Sequence, residues 1–231
     1  MANQFLIKNT MAEMRNLSAS EIASLQGTNP TYAGVELLGY YKKGDTPASI
    51  IYFLSFTLAE DNGGSVIQVN NIKLEHIFSG SIDVKYFGCK CDGINNDSAY
   101  IQSAINYVSP FNWHDSIEAT KNANHEIKGY LTGSGKIRVT KTIFINPYLT
   151  IQGYVKGSWF GAQGGLEFIG DFDGKEMFVF DTAPYNTAGI RIVNHWHCVR
   201  LRWKFIYTSC WLDIIWNQHN SSKKSKYKRR S

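Results

Sequence analysis

Apolar and polar residues alternate through Ile82, Asp83, Val84, Lys85 and Tyr86, the period of two expected of a half-buried strand. Further on the period changes. Ile101, Ala104, Ile105 and Val108 fall at i, i+3, i+4 and i+7, one apolar stripe on a short helix. Asp97 is placed to cap that helix by accepting first-turn amides, and Pro110 to end it. Gly88 and the Asp92-Gly93 pair supply turn chemistry between strand and helix. Upstream, Ala12 to Leu25 reads as a short helix carrying Met14, Leu17, Ile22 and Leu25, with Ser18 or Ser20 as a cap. Strand-like runs follow at Val35 to Tyr41, Ile50 to Leu54, Ser65 to Val69 and Leu74 to Phe78, and Asn62-Gly63-Gly64 forms a turn between the second and third.

After Pro110 the stretch from Phe111 to His125 is polar and irregular, as a loop or insertion would be. Short β-branched or aromatic runs then recur at Tyr130-Leu131, Ile137 to Val139, Thr142 to Ile145, Leu149 to Ile151, Leu166 to Ile169, Met177 to Phe180 and Gly189 to Val193. Gly133, Gly135, Pro147 and Gly153 punctuate them. This pattern predicts a mainly β chain in three parts: a β-rich module over 1–80, a helix and a strand series over 81–194, and a tail over 195–231.

Composition sharpens the last boundary. From His195 onward there is no glycine, although the chain holds 20. The same stretch has four of the six tryptophans, two of the four cysteines and nine of the 24 basic residues, against the single acid Asp213. The net charge of +5 therefore belongs to the tail. Two readings fit it: a frameshift near Asn194, or a genuine basic, aromatic appendage. The N-terminal residues lack an apolar run with a cleavage site, so no signal peptide is expected. No stretch approaches the roughly 20 apolar residues of a membrane span. A soluble protein is the expectation.

Residues Asp83 to Asn106, DVKYFGCKCDGINNDSAYIQSAIN, resemble the entry sequence of the pectate-lyase-like right-handed β-helix proteins. That group includes phage tailspikes and bacterial polysaccharide lyases, hydrolases and epimerase-like proteins. Gly39-Tyr40-Tyr41, Gly44-Asp45, Tyr52-Phe53 and Asp61-Asn62-Gly63-Gly64 likewise match a small module that precedes the β-helix in some members. The resemblance implies a capping helix followed by two or three coils of a parallel β-helix, whose loose spacing suits a solenoid with variable loops. It implies bacterial surface polysaccharide as partner, a virion or baseplate attachment and a homotrimer in the full-length form. It also implies that the catalytic coils lie beyond this chain. A non-enzymatic attachment or assembly module is the alternative. Two departures stand out. Cys89 replaces a small residue and Cys91 a glycine, so a left-handed backbone at 91 would be strained.

Candidate chemistry is sparse, and no catalytic, cofactor-binding or metal residue is assigned. Glu167, Asp171, Asp173 and Glu176 form an acidic cluster, but Gly170-Asp171 and Asp173-Gly174 read equally as turns. Asp92 and Asp97, with Asn95 and Asn96 between them, lack the closing glutamate of a calcium loop. Cys89-x-Cys91 has the wrong gap for a zinc knuckle, even with Cys198, Cys210, His195 and His197 available. Tyr148, Tyr154, Trp159 and Phe160 either stack on sugar rings or pack internally. Gly161 to Gly165 lacks the Gly-Lys-Ser/Thr ending of a phosphate loop. The run from Lys223 to Ser231 would attract nucleic acid or anionic membrane, but no recognised nucleic-acid fold accompanies it and a solvated end is the preferred reading.

Overall fold

A strand that the hydropathy pattern does not announce opens the structure. The computed structural model describes residues 4–110, 128–144, 149–153, 155–156, 163–164, 166–170, 178–179, 191–192 and 202–203. Phe5–Lys8 (β1) runs parallel to Gly34–Leu37 (β2), and the crossover carries Met11–Arg15 (α1) and Ala19–Leu25 (α2). The single helix expected over Ala12 to Leu25 is thus two. Ser18 makes the break by starting α2 with a capping box: its hydroxyl accepts the Glu21 N–H, and the Glu21 carboxylate accepts the Ser18 N–H at 2.9 Å.

β2 pairs antiparallel with Ile50–Ser55 (β3), which meets one strand of a hairpin formed by Val66–Val69 (β4) and Ile72–Glu75 (β5). The sheet order is β1-β2-β3-β5-β4. The strand expected to reach Tyr41 stops at Leu37 because Asp45 gathers the next residues into a loop. Its carboxylate accepts the N–H groups of Tyr40, Tyr41 and Lys42 at 2.7, 2.8 and 3.0 Å. The strand expected over Leu74 to Phe78 ends at Glu75, and the Phe78 N–H turns to the Tyr107 hydroxyl at 2.9 Å. Asn62 does organise a turn, its side-chain oxygen accepting the N–H groups of Gly64, Ser65 and Val66. That turn joins β3 to β4, which are not neighbours. The hairpin turn itself is Asn70-Asn71, with Asn70 at φ 50, a region asparagine tolerates.

Gly80–Asp83 (β6) is shorter than the alternation through Tyr86 predicts. Asp83 accepts the Lys85 N–H at 2.9 Å and so caps a 3-10 turn over Val84–Phe87, which Gly88 closes at φ 96. Asp92–Asn96 (β7) and Ser98–Val108 (α3) follow. Beyond α3 come Gly129–Gly133 (β8), Gly135–Val139 (β9), Ile143–Phe144 (β10), Thr150–Gly153 (β11), an antiparallel pair Val155–Lys156 (β12) and Gln163–Gly164 (β13), then Leu166–Gly170 (β14), Phe178–Val179 (β15), Arg191–Ile192 (β16) and Arg202–Trp203 (β17). These strands stack in parallel ladders, β6-β8-β11-β16, β7-β9-β14-β17 and β10-β15. The result is a mainly β protein with the stacking of a parallel β-helix. Ile82, Leu131 and Ile151 form one buried row, and Ile137 and Phe168 belong to another. The loop expected over Phe111 to His125 lies outside the described residues, as does the tail apart from β17.

On α3 the stripe Ile101, Ala104, Ile105 and Val108 is fully buried, each isoleucine or valine contributing about 1.5–3 kcal/mol by leaving water. The helix also completes open backbone positions. Gln102 acts as a strand surrogate for β10, donating to the Phe144 carbonyl at 2.9 Å and accepting the Phe144 N–H at 2.8 Å. Ser98 Oγ accepts the Thr140 N–H at 2.8 Å. One continuous core runs from Met14, Leu37 and Leu74 through Phe78, Phe87 and Tyr107 to Ile137, so the module and the stacked strands share an interior.

Candidate functional site

Where the module meets the stacked strands, an open cleft of about 350 Å³ lies between two loops. Tyr40, Tyr41, Lys42 and Asp45 line it from the β2–β3 loop, and Lys85, Cys89, Lys90 and Asp92 from the segment between β6 and β7. Each loop is held by a carboxylate that folds its own backbone. Asp45 does this for the first. For the second it is Asp97, whose role differs from the sequence expectation: it sits at the helix N-cap but makes no side-chain bond to α3. Its carboxylate points back and accepts the Lys90 and Cys91 N–H groups at 2.9 and 3.0 Å, while the Asn96 side chain accepts the Ser98 N–H at 3.1 Å. The Cys89–Cys91 loop takes the Asp97 carboxylate, and the helix end is served by Asn96 instead.

The strain foreseen at position 91 is present, with Cys91 at φ 54. Its carbonyl accepts the Lys136 N–H at 2.9 Å, and Gly135, itself at φ 110, leaves room for that approach because any Cβ there would collide with the same oxygen. The two loops interlock through tyrosines. Tyr41 donates its hydroxyl proton to the Gly88 carbonyl at 2.7 Å, and the Tyr40 and Tyr41 ring centroids lie 4.9 Å apart. Gly88 has no Cβ to strike the Tyr40 and Tyr100 rings. The Lys90 ammonium sits 4.8 Å from the Tyr41 ring centroid and donates to Asn95 Oδ1 at 3.1 Å.

Protonation follows burial. Desolvation raises the Asp97 carboxyl above the ordinary range despite its two backbone donors, and raises Asp83 likewise. It pushes Tyr40 up to about 12 and Tyr41 further. The Cys91 thiol rises to about 12 and Cys89 well above its usual value, so both free thiols stay protonated near neutral pH. Exposed Asp92 goes the other way, lowered by the Asn95 and Ile94 N–H groups it accepts. The cleft therefore offers cationic charge, aromatic faces and carboxylates already engaged, but no activated nucleophile.

The sequence candidates are scattered. Asp92 makes an Asx-type turn and Asp97 clasps the preceding loop rather than capping α3, so each is engaged with nearby backbone. Glu167 is half-buried on β14, in register with Lys136, while Asp171, Asp173 and Glu176 lie outside the described residues. So do Tyr148, Tyr154, Trp159, Phe160, His195, His197, Cys198, Cys210, Lys223 to Ser231 and most of Gly161 to Gly165. Among the described residues no three His, Cys, Asp or Glu side chains are grouped to hold a metal ion. Among those residues, too, no helix is long and apolar enough to cross a membrane. Sequence reasoning did not identify Lys85 and Lys90 as cleft residues. The available signal was the pairing of Tyr-Tyr-Lys-Lys-Gly-Asp with Lys-Tyr-Phe-Gly-Cys-Lys.

No family model matches the chain. Among solved structures it resembles WceF of Pantoea stewartii, described as a glycan biofilm modifying enzyme with a bacteriophage tailspike-like parallel β-helix fold, at 12% identity and a TM-score of 0.50. The likeness covers 84% of this chain and 28% of WceF. It defines the fold as a parallel β-helix of the tailspike-like kind. Tailspike protein of Acinetobacter baumannii phage AM24 also matches, at 15% identity over 84% of this chain and 32% of that one, with a TM-score of 0.40. Tailspike protein 2 of an Escherichia coli O157:H7 bacteriophage matches at 16% identity over 80% and 26%, with a TM-score of 0.39. At those scores neither adds to the fold assignment.

Proposed function

We propose that this chain is the N-terminal part of a tailspike-like, pectate-lyase-type β-helix protein that recognises bacterial surface polysaccharide and does not itself carry the catalytic coils. The observation that carries the reading is the set of parallel ladders, whose fold is shared with a glycan-modifying enzyme. Further support comes from α3, whose Gln102 and Ser98 complete backbone positions of the following turn as a lid over the first coils would. The cleft adds tyrosine faces and lysines, chemistry suited to sugars. Within this reading the full-length protein is a virion-associated homotrimer. The tail 195–231, of which β17 pairs with β14, belongs either to a shifted frame or to a native appendage.

The test is retention of the whole chain on immobilised capsular, O-antigen and exopolysaccharides, with reducing ends and unsaturated uronates monitored in parallel. Saturable retention without product is the expected result. No retention on any polysaccharide would sink the reading. A second reading, an attachment or assembly module, has an observation of its own: Phe53, Phe56, Leu58 and Ile77 of the module, with Ile7 on β1, stand at 50–96% exposed. Binding to a virion protein with no retention on any glycan would favour it.

A further inference from the structure

We infer that the cleft between the module and the first stacked strands is a binding site for an acidic saccharide residue, with Lys42, Lys85 and Lys90 receiving its carboxylate and Tyr40 and Tyr41 its ring. This rests on the polysaccharide reading above and deepens it by naming the sugar class and the place. Both carboxylates lining the cleft are already committed: Asp45 accepts three backbone N–H groups, and Asp92 accepts the Ile94 and Asn95 N–H groups together with the Asn95 side-chain amide at 2.6 Å. Against them stand three lysines. Lys90 is held in place by Asn95 Oδ1 and the Tyr41 ring, which fixes a cation at the cleft edge.

With its carboxylates turned to their own backbone and its ammonium groups in excess, the cleft favours a ligand rich in acceptors and negatively charged. The walls narrow the class further. Tyr41 is 41% exposed, and its hydroxyl is tied to Gly88, so it presents a ring rather than a donor. A flat, amphipathic aromatic surface beside ammonium groups matches a pyranose ring bearing a carboxylate. The cleft volume falls at the lower end of the roughly 300–1,000 Å³ range of small-molecule sites, enough for a short saccharide segment. Both loops are rigidly braced by Asp45 and Asp97, so the site is formed before the ligand arrives.

The experiment is calorimetric titration of the whole chain with three probes: trigalacturonate, maltotriose as a neutral trisaccharide, and tricarballylate as a carboxylate without a ring. Trigalacturonate is expected to bind at least about tenfold more tightly than either control, a difference of about 1.4 kcal/mol. The double variant Lys85→Gln/Lys90→Gln, at one half-buried and one exposed lysine, should lose at least about tenfold of that affinity while it still unfolds cooperatively. Equal binding of maltotriose, equal binding of tricarballylate, or an unchanged double variant each overturns the inference. If the double variant still binds immobilised polysaccharide as the parent does, only this site is wrong. If trigalacturonate binds in the cleft but no polysaccharide is retained, the site stands and the polysaccharide reading falls.

Discussion

The module and the first stacked strands hold their carboxylates in opposite ways: half-buried or exposed and paired with a cation in one, buried among backbone amides in the other. In the module two acids, Asp61 and Glu21, each pair with a cation. Asp61 receives both terminal nitrogens of Arg15, and this pair with the Gln68 and Gly63 N–H groups outweighs the upward pull of burial and leaves its pKa lowered. Glu21 is lowered chiefly by Lys8, with which it pairs at 2.6 Å, and by the Ser18 N–H. In the first stacked strands Asp83 and Asp97 are buried and have backbone donors; Lys85 and Lys90 act on them only through space, without a salt bridge, and burial wins. Pairing with charge makes a carboxylate an asset at neutral pH, whereas enclosing it among amides makes it a cost that falls on protonation. The difference is one of partners, since both regions share one core.

The comparison breaks first at the core. Ile137→Ala, at a fully buried position of β9, should cost about 2–5 kcal/mol in urea unfolding. Leu58→Ala, at a module residue 96% exposed, should move stability by no more than about 0.5 kcal/mol. Next in size are the side chains that gather backbone amides. Asp97→Ala strands two donors in a buried loop and should cost about 1–3 kcal/mol by the same measurement. Asn62→Ala removes an acceptor from three N–H groups on buried residues and should cost a similar amount, about 1–3 kcal/mol.

Acidification sharpens the contrast through its sign. Asp83 and Asp97 have folded pKa values above their unfolded ones, so the stability they contribute is full below the unfolded carboxyl range and is lost as pH rises through the folded values. Asp61 and Glu21 are lowered, so theirs is present above the unfolded range and is lost as pH falls through the folded values. Hydrogen exchange, corrected for intrinsic rates, should show β7 and α3 gaining protection relative to α1 and α2 as pH falls through the carboxyl range. A uniform change across both regions would contradict this. Lys8→Gln should cost about 1 kcal/mol or less, because Glu21 keeps part of its carboxylate in water.

Much of the fold was legible where local pattern and tertiary demand agree. The stripe Ile101, Ala104, Ile105 and Val108 points inward as the helical period requires, and the short runs from Tyr130 to Ile169 fall on β8, β9, β10, β11 and β14. Errors came where a polar side chain overrode the local pattern. Asp83 turned an alternating strand into a 3-10 turn, Asp45 cut β2 short, and Ser18 split a helix. β1 escaped notice because Phe5–Lys8 is a four-residue strand whose pairing comes from β2, beyond two helices. Cleft residues were hidden for a related reason. Tyr41 and Gly88 are 47 positions apart, and only the fold brings the hydroxyl to the carbonyl.

That same contact has a kinetic consequence. Except for β1, the module is built from antiparallel neighbours close in sequence, whereas β6 must wait for β8, with Gly80 pairing Gly129. Short loops close quickly and long ones slowly, so the module is expected to form first and the parallel ladder later. The Tyr40–Tyr41 pair then presents a ready surface on which the 88–91 loop is moulded, making the module a template for the first winding. Pulsed hydrogen exchange during refolding should show β3, β4 and β5 protected before β8, and Tyr41→Ala should slow the second step more than the first.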